Sequence, residues 1–120
     1  MNWQERDGVV WAEAAQLSEL PAGKPYVVLL SPSMPGWKQR HDVEAFITAG
    51  TEDGPIVISS ECTHQSCPVE WKGELYVCPC HGSAFGADGG LLSGPAKTPL
   101  RKLDYFVDGE TIWVKVRDKA

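Results

Sequence analysis

The stretch Cys62-Thr63-His64-Gln65-Ser66-Cys67, answered by Cys78-Pro79-Cys80-His81-Gly82-Ser83, decides how this chain is read. The first cysteines of the two boxes stand sixteen residues apart, and all four cysteines and two of the three histidines of the chain lie inside them. Each box offers one cysteine and one histidine close together, spaced C-x-H and C-x₂-H, plus a second cysteine to spare. Working outward, Ile56-Val57-Ile58 precedes the first box and Leu75-Tyr76-Val77 the second. Both are short apolar runs of the kind that form strands, so the boxes sit in loops that leave strands. Lys72-Gly73 between them predicts a hairpin with arms Val69–Trp71 and Glu74–Val77.

Further strand-like runs are Gly8–Ala12, Tyr26–Leu30, Val43–Ala49, Pro55–Ser59, Glu74–Cys78, Leu103–Val107 and Thr111–Val116. Val43-Glu44-Ala45-Phe46-Ile47-Thr48 and Ile112-Trp113-Val114-Lys115-Val116 alternate with a period near two, which predicts half-buried antiparallel strands. Asp108-Gly109 between apolar runs predicts a tight hairpin turn. The sole helix candidate, Glu13–Glu19, is a turn at most, since Leu20-Pro21 follows it. The expectation is an all-β single domain over residues 1–120. A small lobe, about 61–99, is inserted into a base made from about 8–60 and 100–117.

With 120 residues, 42% of them apolar, the chain is the size of one domain with a modest core. Twelve glycines and nine prolines suit turns and short strands. A net charge of −5 without a dense basic run argues against nucleic acid as a partner. No run approaches the ~20 consecutive apolar residues of a membrane-spanning helix, and Met1–Asp7 lacks the features of an export signal. The spare cysteines, if paired, speak for an oxidising compartment. These signs are reconciled if the chain is a soluble fragment whose signal or anchor was removed. The acidic residues show no pairing suited to general acid–base work. His41, in Gly36-Trp37-Lys38-Gln39-Arg40-His41-Asp42, reads as an ordinary loop histidine.

Two metal chemistries use two thiolates and two imidazoles. Structural zinc groups its cysteines as C-x₂₋₄-C and its histidines as H-x₃₋₅-H. Here each box mixes the two ligand types, and zinc leaves two cysteines unexplained. A [2Fe–2S] centre with His₂ in place of Cys₂ on one iron takes one cysteine and one histidine from each box. Zinc remains the minor alternative.

On these boxes and on Gly94-Pro95-Ala96-Lys97-Thr98-Pro99-Leu100, the chain resembles the Rieske iron–sulfur protein family. The likeness is to the soluble domain of the Rieske subunits of cytochrome bc-type quinol oxidases. Weaker similarity, toward menaquinol-oxidising bacterial members, runs from Leu20-Pro21-Ala22-Gly23-Lys24 to the C-terminus. The resemblance implies a Rieske-type antiparallel β-sandwich with a cluster-binding lobe and one [2Fe–2S] cluster per chain. Carried over residue by residue, Cys62 and Cys78 would ligate one iron, and His64 and His81 the other. Cys67 and Cys80 would form a disulfide, which favours the high-potential branch over Rieske ferredoxins. Ser83 would donate to a bridging sulfide, and Gly94, Pro95 and Ala96 would belong to a loop covering the cluster.

The implied function is one-electron transfer from a quinol, met by His64 or His81, to a cytochrome c-type acceptor. The implied partners are a quinol-oxidising cytochrome b-type subunit and that acceptor. The implied place is the periplasm or outer face of the bacterial inner membrane, held there by a missing anchor or by partner subunits. By itself such a chain is a carrier and not a catalyst. Two thiolates bring the oxidised cluster to neutrality where four would leave a dianion, so histidine ligation raises the potential.

Two departures stand out. Phe85 occupies a position where the family often has a tyrosine donor, which should lower the potential. Gln65 replaces the leucine common at the tip that enters the quinol pocket. These keep open a small subunit of an arsenite-oxidase-like enzyme, or a stand-alone soluble Rieske ferredoxin.

Overall fold

The computed structural model describes residues 2–32, 42–51, 54–63 and 67–118. Its first sheet begins with the hairpin of β1 (Trp3–Arg6) and β2 (Val9–Gln16). Arg6 pairs with Val9, leaving Asp7 and Gly8 as a two-residue loop with φ of 54° and 79°. Positive φ at both loop residues is what a type I′ turn requires, and Asp-Gly tolerates it. β11 (Thr111–Asp118) pairs antiparallel with β2 along most of its length, and β10 (Tyr105–Asp108) completes the order β1-β2-β11-β10.

The second sheet is β3 (Tyr26–Leu30), β4 (Val43–Thr51) and β5 (Gly54–Ser59), in that order and antiparallel. The third sheet is made of four very short strands, β6 (Glu70–Trp71), β7 (Tyr76–Val77), β8 (Ala84–Phe85) and β9 (Leu91–Ser93). All pairings are antiparallel, and the all-β class stands. Among the described residues the single helical feature is a 3₁₀ turn at Leu17–Glu19.

The middle sheet is covered on both faces. Ala45, Ile47 and Val57 join Ala12, Ala14, Leu30, Ile112 and Val114 in one core. Phe46 and Ile58, their immediate neighbours along the strands, join Val69, Tyr76, Phe85 and Leu100 in a second. Side chains alternate across a strand, so one sheet serves two cores. This corrects the half-buried expectation for Val43–Thr48, because the third sheet covers the face that the alternation left to solvent.

The chain leaves the middle sheet after β5 and returns beside the same strand. Ser59 N–H donates to Arg101 O at 2.9 Å, Leu103 N–H donates to Val57 O at 2.9 Å, and Ile58 bridges Lys102. The whole excursion that carries both cysteine boxes is thus closed at its base by strand-type bonds.

Several sequence expectations shift. β2 extends through Gln16, absorbing half of Glu13–Glu19, because β11 pairs with it as far as Thr111 opposite Gln16. Cross-strand pairing overrides the local preference of Ala14 and Ala15 for helix. The turn after β10 is Gly109-Glu110, since Asp108 itself pairs with Thr111 and Gly109 takes φ 63°. The turn after β6 centres on Gly73-Glu74, with Lys72 N–H donating to Leu75 O at 2.8 Å. The run Leu103–Val107 divides between sheets, Leu103 bonding β5 while Tyr105 onward pairs with β11. β1, β8 and β9 were not foreseen; the last two are too short to show a period.

Candidate metal centre

The two boxes fold as loops with the same closure. Cys62 N–H donates to Cys67 O at 3.0 Å, and Cys78 N–H donates to Ser83 O at 2.8 Å. In each loop the first cysteine thus bonds the carbonyl five residues on. The first loop stands on a stem in which Glu61 bridges Pro68 and Val69 N–H donates to Ser60 O at 2.7 Å. The second stands on the β7–β8 pair, where Val77 faces Ala84. A further bond from Gly82 N–H to Cys78 O, 2.8 Å, tightens it, and Gly82 takes φ 78° to make it.

A disulfide between Cys67 and Cys80 joins the loops, with Cα atoms 6.5 Å apart. A covalent tie of this kind removes freedom from both loops at once. Cys62 and Cys78 stay outside it and are 3% and 0% exposed, in the same core as Phe46, Tyr76 and Phe85. His81 is exposed. His64 lies outside the described residues, as do Gln65 and His41. Among the described residues no group of three or more His, Cys, Asp and Glu side chains converges as a metal site.

The segment Gly94–Leu100 touches both loops. Thr63 Oγ1 donates to Thr98 O at 2.7 Å, and Ala96 N–H donates to Ser83 Oγ at 3.0 Å. Ser83 is fully buried and Ala96 nearly so, while Pro95 is exposed. Leu100 N–H donates to Gly89 O at 2.9 Å and anchors the far end. Gly94, at φ 100°, lies so close to Ser83 that a Cβ there would collide with the serine backbone. Thr63 was not singled out from sequence; a threonine inside a metal box carries no signal until its partner loop is known.

Tyr76 packs between Phe46 and Trp71, with ring centroids 4.8 and 4.9 Å away. Its hydroxyl is buried with no hydrogen-bond partner among the described residues, and burial pushes its pKa up to about 12. The sequence signal was available, since Tyr76 and Cys78 are two apart in the strand-like run Glu74–Cys78, which would put them on one face.

The donor chemistry fits an iron–sulfur cluster. Two buried thiols lie in separate loops, and a disulfide that leaves both of them out fastens those loops together. Thiolates are the ligands such clusters need. Fold and site together define an all-β iron–sulfur electron carrier. The Rieske [2Fe-2S] domain family matches residues 10–104, and the chain belongs to that family. It carries a [2Fe–2S] cluster and works in electron transfer.

Related proteins agree. The cytochrome b6-f complex iron-sulfur subunit 2 of Nostoc sp. is 38% identical over 68 residues, covering 52% of this chain and 38% of that subunit. The corresponding subunit of Gloeobacter violaceus is 41% identical over 59 residues, covering 48% of this chain and 32% of its own length. The chain thus spans about a third of the length of the curated relatives it matches.

Among solved structures, the plasma membrane Rieske protein PetC3 of the cyanobacterium Synechocystis PCC 6803 superposes with a TM-score of 0.63 at 29% identity. That match covers 87% of this chain and 98% of the other. A chain of a hyperthermophilic respiratory Complex III shares the fold at TM-score 0.60 and 21% identity, covering 83% of this chain and 72% of that one. No described helix is long and apolar enough to cross a membrane.

Proposed function

We propose that the chain passes single electrons from a quinol to a cytochrome c-type acceptor as the cluster-bearing subunit of a bc-type complex. Cys62 and Cys78 would hold one iron, and His64 and His81 the other. The observation that carries this reading is the Cys67–Cys80 disulfide across the two loops, the feature that separates the high-potential branch from Rieske ferredoxins. The exposure of His81 supports it, because the outer nitrogen of an exposed ring can meet a partner molecule.

When bound, the cluster supplies a one-electron couple whose potential is raised by imidazole ligation. The chain's own residues do the rest. Cys62 and Cys78 keep the thiolate side inside the second core, away from water. His81 is exposed, which leaves its ring open to an approaching quinol. The partners proposed are a cytochrome b-type subunit and a cytochrome c-type acceptor. The place proposed is the outer face of a bacterial inner membrane.

A second reading has its own observation. Phe85 is fully buried and brings no hydroxyl to the site, which suits a lower-potential carrier that takes electrons from another metal centre. A redox titration of the EPR signal from about pH 6 to pH 10 separates the two. A positive midpoint that falls with pH supports the quinol-linked reading. A low midpoint that ignores pH selects the ferredoxin-like one.

A further inference from the structure

We infer that the flank of the first cysteine box, a cleft between Thr63 and Lys102, is a docking surface for the acidic face of a redox partner. The inference deepens the proposed function by naming the chemistry of a partner, and it rests on the proposed ligand set. A net charge of −5, from eleven cations and sixteen carboxylates, would by itself select a basic partner. The cations are not evenly spread. The run 89–103 holds Lys97, Arg101 and Lys102 and no carboxylate. All three are exposed, and none has an ion-pair partner among the described residues. Lys72, by contrast, pairs with Glu70 at 3.0 Å.

The fold brings this run against the first box. Thr63, Thr98, Pro99, Arg101 and Lys102 line an open cleft of about 590 Å³. Thr63 follows Cys62 directly, and its hydroxyl donates to Thr98 O, so the box and the cation-bearing segment form one surface. The bonds that close the lobe hold both cations by their backbone: Arg101 O accepts from Ser59 N–H, and Lys102 bridges Ile58. A partner can therefore meet them without first ordering a loop. The opposing carboxylates are few. Asp88 lines the same cleft, its Oδ1 accepting from Gly90 N–H at 2.9 Å, and Arg101 also borders a second cleft with Asp42, Glu44 and Glu61. An acidic protein face is attracted at this one flank and repelled by most of the remaining surface, which fixes where it lands.

The test uses the reduced holoprotein and two one-electron oxidants of opposite charge, ferricyanide and tris(phenanthroline)cobalt(III), followed by stopped flow. Each takes one electron and no proton. Near 0.1 M salt the screening length is about 10 Å, so distant carboxylates contribute little and local charge decides. Oxidation by ferricyanide should slow as salt rises, against the sign of the net charge. Arg101→Gln combined with Lys102→Gln should slow it about tenfold. Lys24→Gln combined with Lys72→Gln removes as much charge elsewhere and should change the rate less than about twofold. The cobalt complex should not be slowed by the cleft pair. Equal slowing of ferricyanide by both pairs, or a rate that rises with salt, would overturn the docking surface.

A second readout needs no electron transfer. Hexaglutamate should bind the native chain in calorimetry, more weakly as salt rises, and binding should vanish in the cleft pair and persist in the control pair. No binding to the native chain, or equal loss in both pairs, overturns the inference. Binding to anionic lipid vesicles in place of the peptide overturns it too, by assigning the flank to a membrane. A native chain with no iron–sulfur signal is the separate failure of the ligand set: it removes the redox role, and the peptide result then decides the surface.

Discussion

Tyr76 and Phe85 stand directly opposite each other across the β7–β8 pair, both without exposed surface, one with a hydroxyl and one without. Phe85 shares its core with Cys62 and Cys78, so a hydroxyl added there falls in the core that holds the two thiols. A hydrogen bond to a charged acceptor contributes ~1.5 kcal/mol, which for one electron corresponds to about 60 mV. Phe85→Tyr is expected to raise the midpoint by up to that amount in a redox titration. A loaded variant with an unchanged midpoint would show that position 85 does not reach a cluster sulfur.

Tyr76 invites the opposite substitution. Its hydroxyl is buried without a partner among the described residues, and such a group is costly to keep dry. Tyr76→Phe should stabilise the fold by about 1 kcal/mol in chemical denaturation. The gain should also depend on pH. Burial raises the phenol from 10.0 to about 12, so the neutral form is favoured in the folded chain. Below pH 10 that preference is fully present; between pH 10 and about 12 the unfolded chain ionises first and stability is lost. The native protein should lose on the order of 2 kcal/mol more than the phenylalanine variant across that window. Parallel alkaline denaturation curves for the two proteins would rule this out.

The disulfide makes a prediction independent of iron. Cys67 and Cys80 are 13 residues apart, a ring whose closure restricts the unfolded chain by roughly 3 kcal/mol in the entropic account. Replacing both with serine should lower the denaturation midpoint accordingly. The same change should also loosen the site, because Cys67 O and the Cys78–Ser83 loop are the closures of the two boxes. Faster loss of the cluster on dilution, measured by visible absorbance, is the expected sign.

The site was more legible than the fold around it. Cys62, Cys67, Cys78 and Cys80 declare themselves by residue type, and chemistry this specific survives without any knowledge of neighbours. β4 and β11 were legible for a different reason: each is long enough to show its alternation. The strands of the lobe were not, since Ala84–Phe85 and Leu91–Ser93 are held by register and loop closure and not by any local pattern. Asp-Gly illustrates the same limit. The dipeptide occurs at both hairpins of the first sheet, yet Asp7-Gly8 forms the whole loop while Asp108 pairs and Gly109-Glu110 turns. Local chemistry marks the turn, and cross-strand pairing decides which two residues make it.

Phe46 and Ile47 offer a control inside a single strand. They are adjacent on β4, 4% and 0% exposed, and they point into different cores. Truncating either to alanine removes a large buried side chain, and each should cost roughly 2–5 kcal/mol of stability. Their effects on the metal centre should diverge. Phe46 packs on Tyr76 in the core that holds Cys62 and Cys78, so its cavity opens under the thiols and should alter the EPR line shape or midpoint. Ile47 packs against the first sheet, and its loss should leave both unchanged. If Ile47→Ala moved the midpoint as far as Phe46→Ala, the middle sheet would be transmitting strain between its faces, and the two cores could not be treated as separate.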